Sequence, residues 1–336
     1  MKSWKTWLGV ALSCFFFYMA VHNVDWGLFA KSLRSVDLSY IVLVMVIVLS
    51  TLLMRGFRWV YFLKPIRRCS PIALFWSTTI GFAINNVLPA RLGEVARAYS
   101  VYKKMDVPFG SALGSIVVER LYDTFMVLFL FVLALAFFEF ENFHRIFPVS
   151  QGRVAFMFGM GGFALLAMVL ALKIKTELFI KIARFFTGSM PTRLQDKLLG
   201  FFRSFVKGLT QSTDPLEVFW IIFISVAIWI VSGFSMYLCV LAFGISLSME
   251  AVIILMMAIV AAVAIPAAPG YVGVYHYLAQ QALVVYVGMD LTQALSIAVV
   301  IHAANYIPQT LVGLMRFAYE GIKITDLKTV RSSTQK

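Results

Sequence analysis

Six apolar stretches, at about 4–21, 38–54, 114–138, 154–172, 216–243 and 291–319, dominate this chain. Each is long enough to cross ~30 Å of hydrocarbon as a helix. That constrains the fold more than any other feature, because a lipid-exposed backbone must satisfy its own hydrogen bonds. Runs of this length read as transmembrane α-helices. A soluble domain is excluded: 61% of the residues are hydrophobic and 13% charged, against about 45–50% apolar in soluble proteins. Lys2 and Lys5 before the first stretch resemble the start of a signal peptide. No small-x-small cleavage site follows, so the stretch reads as a retained first helix.

Two further apolar segments, about 71–104 and 249–288, are interrupted. The first break reads Asn85-Asn86-Val87-Leu88-Pro89-Ala90-Arg91-Leu92-Gly93-Glu94 and the second Ile265-Pro266-Ala267-Ala268-Pro269-Gly270-Tyr271-Val272-Gly273-Val274. Pro89 matches Pro269 and Gly93 matches Gly273, giving P-x-x-x-G twice, 180 residues apart. Breaks at corresponding places in two halves point to a transport site near the bilayer midplane.

The distribution of basic residues sets the topology. Of the 29 Lys and Arg, the great majority fall at the N-terminus, at 55–68, at 91–104, in the 173–214 connection and in the tail. The positive-inside rule places all of these in the cytoplasm. That holds only if segment 71–104 leaves on the side it entered, so it reads as a re-entrant hairpin from the cytoplasm, and 249–288 as one from the outside. The expected fold is an all-α polytopic membrane protein: six full spans and two re-entrant helical hairpins in an inverted-topology repeat. Residues 1–322 form one integral membrane domain, with repeat 1 at about 1–138 and repeat 2 at about 153–320. Residues 176–210 read as amphipathic cytoplasmic helices, either lying in the headgroup layer or covering the bundle. Residues 323–336 form a cytoplasmic tail. Both termini lie in the cytoplasm of a cell with an inner membrane.

Several chemistries lack their residues. Cys14, Cys69 and Cys239 show no paired spacing, and four scattered histidines form no cluster, so no metal or cofactor is expected. No nucleotide-binding G-x-x-x-x-G-K-[ST] occurs. The net charge of +13 is explained by cytoplasmic loops and anionic lipid rather than by nucleic acid.

The candidate substrate-binding residues are Asn85, Asn86, Arg91, Glu94, Arg97, Glu119, Arg120, Asp123 and His276. The arms that ascend from the two tips would direct their N-termini toward one cavity, where free N–H groups and the helix dipole favour an anion such as phosphate. Arg91, Glu94 and Arg97 share a helical face, as do Glu119 and Asp123. Two readings stand for these charges. One is a salt-bridge network joining Arg91 and Arg97 to Glu119 and Asp123, and Glu94 to Arg120. The other is a phosphate grip by arginine. Asn85 and Asn86 either contact a headgroup or cap the carbonyls of the broken helix. Pro89, Gly93, Pro266, Pro269, Gly270 and Gly273 are expected to shape the tips. His276 and His302 are either hydrogen-bonded packing or a proton relay.

Asn85 to Arg97 (N-x-x-LPAR-x-GE-x-x-R), Glu119-Arg120-x-x-Asp123, Pro266 to Gly273, and the pair Arg58-Trp59 together resemble the lysylphosphatidylglycerol synthase transmembrane-region family, also called flippase-like or UPF0104. The likeness covers roughly residues 5–320. It implies lipid translocation between leaflets rather than enzyme activity. With 17 residues after Tyr319, the synthase domain of the best-known members is not expected. Many members carry Glu at the position of His276. The resulting expectation is a flippase or facilitated transporter of an anionic phospholipid. A membrane-embedded lipid-modifying enzyme or accessory subunit is one alternative, and a small-solute secondary transporter another. Membrane lipids are the expected partners; a separate lipid-synthesising enzyme and further copies of the chain are compatible with this reading.

Overall fold

The structure, a computed structural model, describes residues 4–88, 91–140, 143–174, 176–187, 195–196, 198–200, 203, 214–265 and 267–321. Among them the regular elements are all helical: α1 (Trp4–Val21), α2 (Trp26–Arg34), α3 (Leu38–Leu63), α4 (Pro71–Val87), α5 (Leu92–Met105), α6 (Phe109–Phe137), α7 (Phe143–Ile146), α8 (Gln151–Ile174), α9 (Thr176–Phe186), α10 (Pro215–Leu241), α11 (Met249–Ala264), α12 (Val274–Ala282) and α13 (Leu291–Tyr319). A 3₁₀ turn (Pro269–Tyr271) precedes α12 and a π turn (Leu283–Val287) follows it.

Four of these helices (α3, α6, α10 and α13) are long and apolar enough to cross a membrane, and a fifth crossing counts α1 with α2 as one bent span. α2 meets α1 at 87°. It is a short helix absent from the sequence reading, started by Asp25, whose carboxylate accepts from the Gly27 and Leu28 amides. Asp37, Asp214 and Asp290 begin α3, α10 and α13 in the same way, each satisfying N–H groups that the helix leaves unpaired. At the end of α6 the Gln151 amide donates to the Leu135 and Phe138 carbonyls.

The two interrupted segments are helix–break–helix units, α4/α5 and α11/α12. Pro89, Ala90 and Pro266 lie outside the described residues, as do most of 188–213 and the tail from 322. Of the amphipathic 176–210 stretch, α9 is described, with Leu178 and Phe185 exposed.

α4 is buried on nearly every side, from Leu74 through Asn86. Glycines at its crossings permit this. A Cβ on Gly56 of α3 would lie 2.7 Å from Phe75 Cα. One on Gly93 of α5 would overlap the Gly81 carbonyl oxygen, and one on Gly313 of α13 would overlap Thr79 and Ala83. Small residues let helix backbones approach closely in lipid, where association rests on packing and hydrogen bonds. α4 is thus wedged between α3, α5 and α13.

The buried stripe of α3 runs Ile41, Val44, Val48, Leu52, Gly56, Trp59 and Phe62, the three-and-four spacing of a single helical face. Its upper part joins the large apolar core with α6, α10, α11, α12 and α13. Its lower part joins a smaller cluster around Trp59, Phe62, Leu74, Val101, Ile116 and Ile221.

Candidate functional site

Charged side chains are buried where α3, α5 and α6 meet. α3 continues past its apolar run to Leu63, so Arg55 and Arg58, one turn apart, point inward with the buried face. The sequence reading placed both among cytoplasmic flank charges. The structure adds that α3 carries them into the bundle: Arg58 is fully buried. α6 brings Glu119, Arg120 and Asp123, and α5 brings Arg97.

Two carboxylates bridge four guanidinium groups. Glu119 contacts Arg97 at 2.7 Å, Arg120 at 2.9 Å and Arg58 at 3.5 Å. Asp123 contacts Arg58 at 2.7 Å, Arg55 at 2.8 Å and Arg120 at 3.6 Å. Glu94 acts on Arg120 from α5. Among the described residues, four cations against three anions leave one positive charge without a counterion.

The surroundings hold the arginines rigidly. The Arg97 guanidinium sits 3.7 Å over the Trp59 ring, close enough for strong cation–π attraction. The Trp59 indole N–H donates to Ser115 Oγ at 2.9 Å. Arg58 Nη1 also donates to Ser225 Oγ on α10 at 2.8 Å. Among the described residues, the Nε groups of Arg58, Arg97 and Arg120 have no hydrogen-bond acceptor. Arg120 has 37% of its side chain exposed while Glu119 has none, so the cluster opens on the Arg120 side.

Of the network expected from sequence, Arg97, Glu119, Arg120, Asp123 and Glu94 are brought together; Arg91 is not. Arg91 begins α5 in the left-handed region at φ 52° and donates from Nη2 to the Val263 carbonyl near the end of α11, at 3.1 Å. One break therefore touches the other. The Tyr306 hydroxyl of α13 donates to the Asn86 carbonyl at 3.1 Å, and a Cβ on Gly270 would lie 3.0 Å from the Tyr306 ring. The Asn86 amide donates to Thr310 Oγ1 at 2.7 Å.

The helix ends at the breaks are partly occupied. Asn85 Oδ1 accepts the Gly93 amide at 2.7 Å, so it caps the N–H side of the ascending arm rather than the carbonyls of the descending one. In the second break, His276 Nδ1 accepts the Gly273 amide at 3.4 Å. Gly273 has φ 92°, and a Cβ there would overlap the Ser13 carbonyl of α1. Pro269 opens the 3₁₀ turn and Gly270 follows at φ 73°. The second tip is thus covered by α1. The expectation of two open N-termini facing one cavity is corrected: the electropositive group is built from arginine side chains of α3, α5 and α6.

Arg55 and Arg58 were missed because they follow the apolar run of α3, where basic residues ordinarily mark the membrane edge. The available signal was their spacing of three, in register with the stripe that runs on through Trp59 to Phe62.

The family model described as the lysylphosphatidylglycerol synthase TM region matches residues 6–313. A UPF0104 membrane protein of Methanothermobacter thermautotrophicus is 27% identical over 257 residues, which is 72% of this chain and 72% of that protein. A UPF0104 membrane protein of Methanocaldococcus jannaschii is 25% identical over 244 residues, covering 70% of this chain and 92% of that one. No solved structure gives a significant match.

Proposed function

The chain belongs to the lysylphosphatidylglycerol synthase transmembrane-region family, and we propose that this multi-pass membrane protein moves an anionic phospholipid between leaflets. The observation that carries the reading is the uncompensated positive charge of the Arg55–Arg58–Arg97–Arg120 group. Ionisable groups within a membrane normally pair with one another. Here pairing stops one anion short, and three buried guanidinium Nε groups lack acceptors. One phosphodiester carries one negative charge and oxygens that suit the planar guanidinium fork. Arg120, half open, would receive the phosphate; Arg97 and Arg58, held by Trp59 and Ser225, would orient it. Acyl chains would remain in the bilayer.

In this reading the α4/α5 and α11/α12 units are re-entrant hairpins of an inverted repeat, with six full spans, one membrane domain over 1–322 and both termini in the cytoplasm of a cell's inner membrane. The contact between the two breaks supports it, because irregular backbone at membrane depth requires cover by protein. Lipid is the partner, with a separate lipid-synthesising enzyme as its source.

The experiment is leaflet exchange of labelled phosphatidylglycerol in liposomes holding the purified protein. Acceleration is expected, with its loss in Arg97→Ala. No acceleration by folded protein would overturn the reading.

A further inference from the structure

The second break contains a closed circuit of hydrogen bonds through two histidines. The Gly273 amide donates to His276 Nδ1 at 3.4 Å. His276 Nε2 then lies 3.2 Å from His302 Nδ1. Since His276 accepts at Nδ1, its neutral form carries the proton at Nε2 and donates to His302. His302 must then carry its own proton at Nε2, and the backbone of Gly270 hydrogen-bonds this ring, with the carbonyl as the acceptor. Four ring nitrogens serve two donors and two acceptors, and none is spare.

We propose that the His276–His302 pair is a proton-binding site whose occupation releases the second break from α1. The reason lies in the circuit's direction. An added proton can only go to an Nδ1 that now accepts. At His276 it would face the Gly273 N–H, donor against donor. At His302 it would face the His276 Nε2–H, which could yield only by moving its proton to Nδ1, again against Gly273. Either way the Gly273 amide is expelled. Gly273 is wedged on the Ser13 carbonyl at a φ that only glycine adopts easily, and the neighbouring Ala268 amide donates to Ser13 Oγ at 2.8 Å. Displacing the Gly273 amide therefore loosens the seat of the break on α1.

The elements around the pair offer no counterion. Tyr275 stacks on His302 with ring centroids at 4.4 Å, and Tyr306 meets it edge-on at 5.3 Å. From α10, Cys239 faces Tyr275, and α1 presents Ser13. Among the described residues no carboxylate, lysine or arginine acts on either ring. A proton on the pair is thus an uncompensated charge, which local opening toward water would relieve. The device is separate from the arginine group and holds whether or not the chain moves lipid.

The test is the reaction of a single cysteine at Ala268→Cys with a maleimide, in protein reconstituted in lipid nanodiscs with Cys14, Cys69 and Cys239 replaced by alanine. The pH is lowered from about 8 to about 4, past the ordinary histidine range, because the pair has no counterion to hold its proton. A second protein with Val87→Cys, at the first break, supplies the intrinsic pH dependence of the reaction. Relative to Val87→Cys, labelling at 268 is expected to rise about tenfold or more on acidification, as a population shift requires. With His302→Gln it is expected to stay flat. An unchanged ratio in the parent protein overturns the proposal, as does an equal rise with His302→Gln. Nitrogen-15 histidine NMR of the unsubstituted protein gives an independent check. Two rings that stay neutral with protonated Nε2 throughout the acidification would also overturn it.

Discussion

Replacing Glu119 by glutamine is the most direct trial of the charge count at the arginine group. Glu119 is fully buried and contacts Arg97, Arg120 and Arg58 at 2.7, 2.9 and 3.5 Å. Glutamine keeps the shape and one acceptor oxygen but removes the charge. Three guanidinium groups then face a neutral amide, Asp123 and Glu94 remain as the anions of the group, and the uncompensated charge rises from one to two. Removing one partner of a buried ion pair costs about 3–5 kcal/mol, chiefly because the other is left unpaired. Asp123 still holds Arg58 and Arg120, which points to the lower end, about 3 kcal/mol, or more than a hundredfold in the folding equilibrium. The assay is unfolding in mixed micelles by increasing dodecyl sulfate, with helix circular dichroism as the readout. Arg120→Gln serves as the comparison. Its side chain is 37% exposed, so water screens the change and a loss of about 1 kcal/mol is expected. If Glu119→Gln costs no more than Arg120→Gln, the group is solvated and the uncompensated charge carries no weight. If the count is right, phosphatidylglycerol in the micelles recovers part of the stability lost by Glu119→Gln.

Three further outcomes can be checked with the same unfolding assay. Gly93→Ala places a methyl group onto the Gly81 carbonyl and is expected to cost about 3 kcal/mol or more, whereas Gly233→Ala, whose nearest neighbour atom is 3.8 Å away, should be close to neutral. Asn85→Ala removes the acceptor of the Gly93 amide and should cost about 1 kcal/mol, the usual value of a lost cap. Trp59→Leu removes both the ring under Arg97 and the hydrogen bond to Ser115; a loss of about 2–4 kcal/mol is expected, and slower leaflet exchange should accompany it.

Much of the secondary structure is readable from the chain because lipid leaves the backbone few choices. The apolar runs at 216–243 and 291–319 became α10 and α13 within a residue or two at most ends. The breaks were also legible, since proline and glycine interrupt a helix through their own backbone geometry. α2 was not, because nine residues make only about two to three turns, too short a window for helical spacing to stand out between two spans. Among the site residues, Glu119, Arg120 and Asp123 were visible as charges in an apolar stretch. Arg55 and Arg58 were hidden, because the place where an apolar run ends does not say whether the helix leaves the bundle or goes on inside it.

That this chain is a helical membrane protein, where its helices are interrupted, and which charges are too costly to leave in lipid unpaired can all be read from the order of its residues. These follow from local properties: hydrophobic length, backbone freedom and the cost of desolvating a charge. The partners of those residues, by contrast, come from the packed bundle. Arg97 over Trp59, Arg58 against Ser225, and Gly273 bound to His276 and pressed on α1 join residues that are neighbours only because particular helix faces pack. Which face turns inward depends on small residues at the crossings, such as Gly56, Gly93 and Gly313, and on the sum of contacts along each helix. That sum is a property of the assembled bundle, and no short window of sequence contains it.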